Sequence, residues 1–188
     1  MTTGLTGPEF DACFQRFADS PTSTTVFRWE GLQHYAIAAD EPSLVAFREG
    51  TPRPERSVRT SPWLARIAAS TIAGKRWTRV RWVSEPLIEY VEWEMYAYVE
   101  SQAVGEEITF VPEREYDLPD FWVFDGTGPD DRRAILMHYD GYGVPGEFEY
   151  VDDEHRVADL LTAARELYQD ATPLNVYLAL RRGVAGAA

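Results

Sequence analysis

Glu94 is the acidic side chain whose place in the sequence most clearly calls for a chemical explanation. Residues 84–105 are predicted to form a helix, and at 100° per residue Glu94 falls within its apolar stripe. A buried carboxylate without a partner is costly or becomes protonated. Arg79 and Arg81 lie two apart on the preceding predicted strand and share one face, so we expect one of them to pair with Glu94. Such a pair either fixes the packing of helix and strand or forms the floor of a polar pocket.

A second group of polar side chains lies in the segment MHYDGYG, near the end of another predicted strand. His138 and Asp140 are two residues apart there, so a histidine base oriented by a carboxylate is one interpretation. A hydrogen-bonded pair that stabilises the strand end is the other. The candidate catalytic residues are therefore Glu94, His138 and Asp140. The candidate contacts to a bound small molecule are Arg79, Arg81, Glu94, Tyr139 and Asp140.

The glycine motif GYGVPG, residues 141–146, matches the spacing G-x-G-x-x-G but not its mechanism. A dinucleotide site needs these glycines between a strand and the N-terminus of a helix, whereas here a strand follows and Pro145 removes one amide. The chain has no G-x-S-x-G, Walker A, H-E-x-x-H or C-x-x-C motif, and its three histidines are scattered. We therefore predict a turn at residues 141–146, no metal site and no cofactor.

Length and composition favour one soluble domain spanning residues 1–188. The chain has 188 residues, of which 45% are hydrophobic and 13% aromatic, enough for a substantial core. Cys13 is the sole cysteine and cannot form an internal disulfide, and the N-terminus lacks the pattern of a signal peptide. No apolar run has the length of a membrane helix. The sequence predicts a cytoplasmic protein with no membrane contact.

Charge is distributed unevenly along the chain. The net charge is −13, which disfavours direct contact with nucleic acid, yet residues 48–81 hold nine basic and two acidic side chains. This segment either neutralises the acidic remainder within one fold or forms a basic patch for an acidic partner or a phosphorylated small molecule. Within it, residues 51–60 are predicted to be an exposed loop. Its arginines, Arg53, Arg56 and Arg59, are the candidate residues for docking a protein partner.

Hydrophobic periodicity predicts an α/β or α+β fold with a mixed sheet, a crossover helix and flanking helices. The strands at 76–83 and 107–111 are connected by the helix at 84–105 and should be parallel neighbours. Residues 120–151 are predicted to form a three-stranded antiparallel meander. Residues 24–37 indicate two short strands or one bulged strand. Further helices are predicted at 8–20, 40–50, 61–74, 154–171 and 173–183, before a frayed tail at 183–188.

The segments from Pro62 to Pro112, DFWVFD and MHYDGYG resemble an actinobacterial family of uncharacterised cytoplasmic proteins that are often encoded beside helix-turn-helix regulators. The resemblance covers most of residues 10–175. It implies a regulatory partner and no established activity. The positions that carry it are Trp77, Arg79, Arg81, Glu85, Pro86, Tyr90, Glu94, Gly105, Glu106, Phe121, Trp122, Tyr139 and Asp140.

Two functional hypotheses follow from the sequence. The first is a regulatory module that binds a protein or small ligand and acts with a helix-turn-helix regulator. The second is a small-molecule enzyme that uses acid–base chemistry in a polar pocket around Glu94, His138 and Asp140. A deep pocket where these three side chains converge would favour the enzyme, and an exposed surface bearing the loop arginines would favour the module.

Overall fold

The computed structural model describes residues 3–37, 41–112, 118–128 and 130–185. These residues form a single mixed α/β domain with eight strands in one sheet and six helices. The strands are β1 (Thr3–Leu5), β2 (Ser23–Glu30), β3 (Arg76–Trp82), β4 (Glu106–Val111), β5 (Asp120–Gly126), β6 (Arg133–Tyr139), β7 (Pro145–Val151) and β8 (Thr172–Pro173). The helices are α1 (Gly7–Ala18), α2 (Glu41–Arg48), α3 (Pro62–Ile72), α4 (Glu89–Ala103), α5 (Glu154–Gln169) and α6 (Leu174–Ala185).

The sheet order is β1-β7-β6-β5-β2-β3-β4-β8. Strands β2, β3 and β4 are parallel, so the predicted parallel pairing of β3 with β4 across a crossover helix is confirmed. Strands β5, β6 and β7 form the predicted antiparallel meander. The sequence did not indicate that β2 would join these two halves, pairing with β3 on one side and antiparallel with β5 on the other. Strand β2 ends at Glu30, and residues 31–37 form a loop at its carboxyl end.

Local capping explains where the helices begin. The hydroxyl oxygen of Ser61 accepts a hydrogen bond from the Leu64 amide at 3.3 Å, so α3 begins as predicted. The prediction that α4 begins after Ser84 is wrong, because this helix starts at Glu89. The Ser84 amide and hydroxyl donate to the side-chain oxygen of Gln33, at 3.1 and 3.0 Å. Ser84 therefore ties the β3–α4 loop to the loop after β2 instead of capping a helix.

The structure describes only the first part of the segment 183–188 that was predicted to be a frayed tail. Helix α6 continues to Ala185, so residues 183–185 belong to a helix, and residues 186–188 lie outside the described ranges. Asp40, the first residue of the helix predicted at 40–50, also lies outside them. Residues 51–60 lack helix and strand structure, in agreement with the predicted loop.

The two faces of the sheet are covered differently. On one face, which we call the α5 face, apolar residues of the central strands pack against α5 around Trp29, Leu136 and Leu167. On the opposite face, which we call the α4 face, clusters of aromatic residues pack against α1, α3, α4 and α6. Because successive residues of a strand point to opposite faces, each strand divides its side chains between these two layers. Four charged residues of β2 and β3 alternate with apolar ones and lie on the α4 face, namely Arg28, Glu30, Arg79 and Arg81, whereas Arg76 lies over Tyr168 of α5 on the other face.

Candidate functional site

Seven charged side chains meet on the α4 face of the sheet, around the parallel strands β2 and β3. Strands β2 and β3 each contribute two of them, and their register places Arg28 opposite Arg79 and Glu30 opposite Arg81. The other three come from α4, from the start of β4 and from the start of β5. We call this set the central charge cluster: Arg28, Glu30, Arg79, Arg81, Glu94, Glu106 and Asp120.

Glu30 lies at the centre of the cluster and receives more contacts than the sequence indicated. One carboxylate oxygen accepts from Arg79, and the other accepts from Arg81 at 3.3 Å and from the Tyr98 hydroxyl at 2.9 Å. Arg28 lies 3.6 Å away. Burial alone would raise the pKa of Glu30, but Arg79, Arg81 and Arg28 together lower it to about 2. Glu30 is therefore an ionised carboxylate in the protein interior.

The predicted pairing of Glu94 with a strand arginine is confirmed. A guanidinium nitrogen of Arg81 lies 2.8 Å from a carboxylate oxygen of Glu94, and the side chains are 0% and 13% exposed. Burial would lower the pKa of Arg81, but the negative charge of Glu94 and the other neighbours hold it well above its ordinary value. This ion pair connects α4 to the carboxyl end of β3.

Asp120 and Arg28 form a second buried pair, which the sequence did not predict. A guanidinium nitrogen of Arg28 donates to Asp120 at 2.8 Å, and the hydroxyl of Tyr35 donates to the same oxygen at 2.5 Å. The amide of Gly31 donates to the other oxygen at 2.9 Å. Burial raises the pKa of Asp120 although Arg28 opposes the effect. The two-residue spacing of Arg28 and Glu30 was a signal in the sequence that both lie on one face.

The cluster is nearly neutral, which limits what it can bind. Glu106 supplies a fourth carboxylate, 2.8 Å from Arg79. Three arginines thus face four carboxylates, and the pairing leaves no excess of positive charge for an anion. Among the described residues no group of three or more His, Cys, Asp or Glu side chains is arranged to hold a metal ion. The arrangement stabilises the junction of the sheet with α4.

The acid–base site predicted from Glu94, His138 and Asp140 is not formed. His138 lies on the α5 face, because strand alternation places it on the same side of β6 as the buried Leu136. Its side chain is 47% exposed, and Nε2 lies 3.6 Å from a carboxylate oxygen of Glu149. Asp140 lies beyond the end of β6, where one carboxylate oxygen accepts from the amides at positions 142 and 144, at 2.8 and 2.9 Å. Asp140 therefore stabilises a turn, as aspartates in loops often do.

The five predicted ligand contacts are only partly brought together. Arg79, Arg81 and Glu94 belong to the central charge cluster. Tyr139 lies on the same face, with its ring edge-on to Tyr35 at 5.0 Å between centroids. The carboxylate of Asp140 instead accepts hydrogen bonds within its own turn. The two-residue spacing of His138 and Asp140 does not predict a shared face, because β6 ends at Tyr139 and strand alternation no longer applies at Asp140.

The expectation that Arg53 and Arg56 are solvated is wrong. Both pair with Glu100 of α4, at 2.6 and 3.1 Å, and Arg56 also donates to the carbonyl of Ala97 at 3.1 Å. Their side chains are 19% and 28% exposed. The loop lacks apolar anchors of its own, so it is fixed to α4 by these charges instead. Arg59 is exposed, as expected.

Replacing Glu94 with alanine is expected to lower the free energy of unfolding by about 2 to 3 kcal/mol, because the buried Arg81 loses one of its two carboxylates. Urea denaturation measures this change. The matched control is Glu92→Ala on the outer side of the same helix, where the carboxylate is 48% exposed and 3.5 Å from Arg181. Its effect should stay below about 1 kcal/mol. Equal destabilisation by the two variants would contradict the role assigned to Glu94.

The fold and the cluster define a class: a mixed α/β domain whose sheet carries a compensated network of arginines and carboxylates. The chain belongs to the family described as Domain of unknown function (DUF6879), whose model matches residues 8–179. No curated protein matches it. None of the helices in the described ranges combines the length and apolar content that crossing a membrane requires.

Among solved structures, the chain is similar in fold to the polyphosphate kinase from Porphyromonas gingivalis. The TM-score is 0.57 at 13% sequence identity, and the similarity covers 92% of this chain. It covers 26% of the polyphosphate kinase, so the chain spans about a quarter of that protein's length. At this identity the likeness concerns the fold alone.

Proposed function

We propose that this protein is a binding module that acts with a helix-turn-helix regulator in the cytoplasm. The compartment rests on the cysteine usage of the sequence, whose single cysteine cannot form an internal disulfide. The regulator rests on the family resemblance. The acid–base alternative has no comparable support, because its three candidate side chains lie apart.

The observation that carries the proposal is an apolar groove between helices α2, α4 and α6. Its volume is about 570 Å³, and its apolar walls are Phe47, Leu87, Met95, Tyr96, Val99 and Leu178. Tyr96 and Val99 are 52% and 49% exposed, although both lie on a helix whose other side is buried. Contiguous apolar surface of this kind is typical of a protein interaction site.

The shape and charge of the groove favour an amphipathic helix as its occupant. Grooves between helices bind partner helices through apolar side chains one turn apart. The rim includes Arg53, Arg181 and Arg182, and Arg182 forms no ion pair with any residue that the structure describes. Arg53 and Arg181 are already paired with Glu100 and Glu92 at this rim. Arg182 is therefore the arginine that can accept an acidic residue flanking an apolar helix face.

Replacing Val99 with glutamate is expected to weaken binding of the regulator at least tenfold, because a carboxylate would be buried against the partner's apolar face. Val99 is 49% exposed, so the variant should fold. Isothermal titration calorimetry with a purified helix-turn-helix regulator of the kind that the family resemblance implies measures the effect. Addition of random duplex DNA to this protein alone at physiological salt should give no binding.

Ile72→Glu is the matched control, since this residue of α3 is 88% exposed and does not line the groove. It should bind the regulator as the unaltered protein does. Failure of the unaltered protein to bind the regulator would reject the proposed function. Regulator binding that is the same in Val99→Glu would reject the groove as the docking surface while leaving the partnership in place.

A further inference from the structure

A cavity of about 700 Å³ lies between α3 and the segment that connects α1 to β2. Residues from the end of α1 to the start of β2 form one wall, and α3 with the turn after it forms the other. The side chains of the second wall are small, since Ala65, Ala69 and Ala73 lie there one helical turn apart. Lys75, the sole lysine of the chain, also lines the cavity. The volume is within the range of small-molecule sites.

Lys75 is positioned by the turn that ends α3. Gly74 has a φ of +92°, a conformation that glycine adopts readily, and the amide of Lys75 donates to the carbonyl of Ser70 at 2.9 Å. The side chain reaches the end of α1, where its amine donates to the carbonyls of Ala18 and Ser20, the latter at 3.0 Å. Ala18, Ser20 and Lys75 all line the cavity, so the amine lies at its wall.

These contacts suit a neutral amine. An ammonium has three N–H donors, whereas a neutral amine has two donors and a lone pair. The two carbonyls can accept from both donors of the neutral form, which leaves the lone pair for an electrophile. Burial lowers the pKa of Lys75, although Asp19 and Asp131 oppose the effect. Both carboxylates have other partners: Asp19 pairs with Arg66 at 2.9 Å, and Asp131 accepts from the amide of Gly128 at 2.7 Å.

We propose that Lys75 is a nucleophile that binds a small uncharged aldehyde as an imine. The lone pair of Nζ forms a bond to the carbonyl carbon, and the carbonyl oxygen leaves as water with the two hydrogens of the amine. Protonation of the imine by solvent restores one N–H for one of the two backbone carbonyls. Lysines removed from water are activated for this reaction.

The cavity favours an uncharged ligand. Asp19 and Arg66 are the other charged residues that line it, and they are paired with each other. The small alanine side chains leave room for a short apolar chain beside the amine. This inference does not depend on a regulator or on the groove between α2, α4 and α6.

Butanal is the probe, and reduction with cyanoborohydride makes its adduct permanent. At neutral pH the adduct at Lys75 should form at least about tenfold faster in the full-length protein than in an acetylated peptide of residues 72–78, where the same amine is in water. Peptide mapping by mass spectrometry measures both rates, because the chain has no other lysine. The increase of the rate with pH should begin at lower pH in the protein, since burial favours the neutral amine.

Ala69→Leu extends a side chain of the cavity wall and should slow the reaction with butanal several-fold. Ala69 is exposed, so the variant should fold. The matched control is Ile72→Ala, because this residue of α3 is 88% exposed and does not line the cavity. Its rate should equal that of the unaltered protein. Three results would overturn the proposal: no adduct at Lys75 in the protein, a rate no higher than in the peptide, or an unchanged rate in Ala69→Leu.

Discussion

Replacing Glu30 with alanine is expected to lower the free energy of unfolding by about 3 to 5 kcal/mol, the cost of leaving buried charges without their partner. Glu30 accepts hydrogen bonds from Arg79, Arg81 and Tyr98, and it lies within 3.6 Å of Arg28. Its loss would therefore affect three arginines at once. The effect should exceed that of Glu94→Ala, because Glu94 is partly exposed and contacts one arginine of the cluster.

Urea denaturation followed by tryptophan fluorescence tests this expectation. The matched control is Glu107→Ala, on a neighbouring strand, where the carboxylate pairs with Arg76 at 2.6 Å but is 47% exposed. Surface pairs of this kind contribute about 1 kcal/mol or less. If Glu30→Ala were no more destabilising than Glu107→Ala, the central charge cluster would not be holding β2, β3 and α4 together.

The same carboxylate is expected to make the protein sensitive to acid. Burial raises the pKa of Glu30, but the surrounding arginines lower it from an ordinary value of 4.5 to about 2. A folded-state pKa below the unfolded one means that the folded protein binds the proton more weakly. The stability contributed by Glu30 is therefore fully present above about pH 4.5 and is lost as the pH falls towards 2. That loss is on the order of 3 kcal/mol.

Comparing the pH dependence of unfolding in the unaltered protein and in Glu30→Gln isolates this contribution. The glutamine variant is less stable at neutral pH but lacks the titrating group, so its stability should fall less steeply between pH 4.5 and 2. Asp120 acts with the opposite sign, because burial raises its pKa, and it is present in both proteins. Parallel curves for the two proteins would show that Glu30 is not held ionised by the arginines.

The buried charges of the central charge cluster have a structural role in this fold and not a binding role. The sequence suggested a polar pocket around Glu94, yet each arginine of the central charge cluster is paired and largely buried. The exposed apolar surface lies elsewhere, in the groove between α2, α4 and α6.

Local periodicity was enough to determine the class of fold. Apolar alternation identified β3, β4 and the meander, and a helix between two strands requires a crossover that makes them parallel. The same reasoning predicted that Glu94 pairs with Arg79 or Arg81, because a helical wheel and a strand face are properties of short segments, and the structure shows that the partner is Arg81. In these cases each inference used residues that are close together in the chain.

The tertiary structure alone decided which distant groups meet. Glu30 lies 49 and 51 residues before its partners Arg79 and Arg81, and Asp120 lies 92 residues after Arg28. These contacts depend on β2 entering the sheet between β3 and β5, and no local pattern specifies that order. The face of the sheet that His138 occupies depends likewise on register. Periodicity reports which residues share a side of one element, whereas the neighbour facing that side is fixed only when the elements pack together.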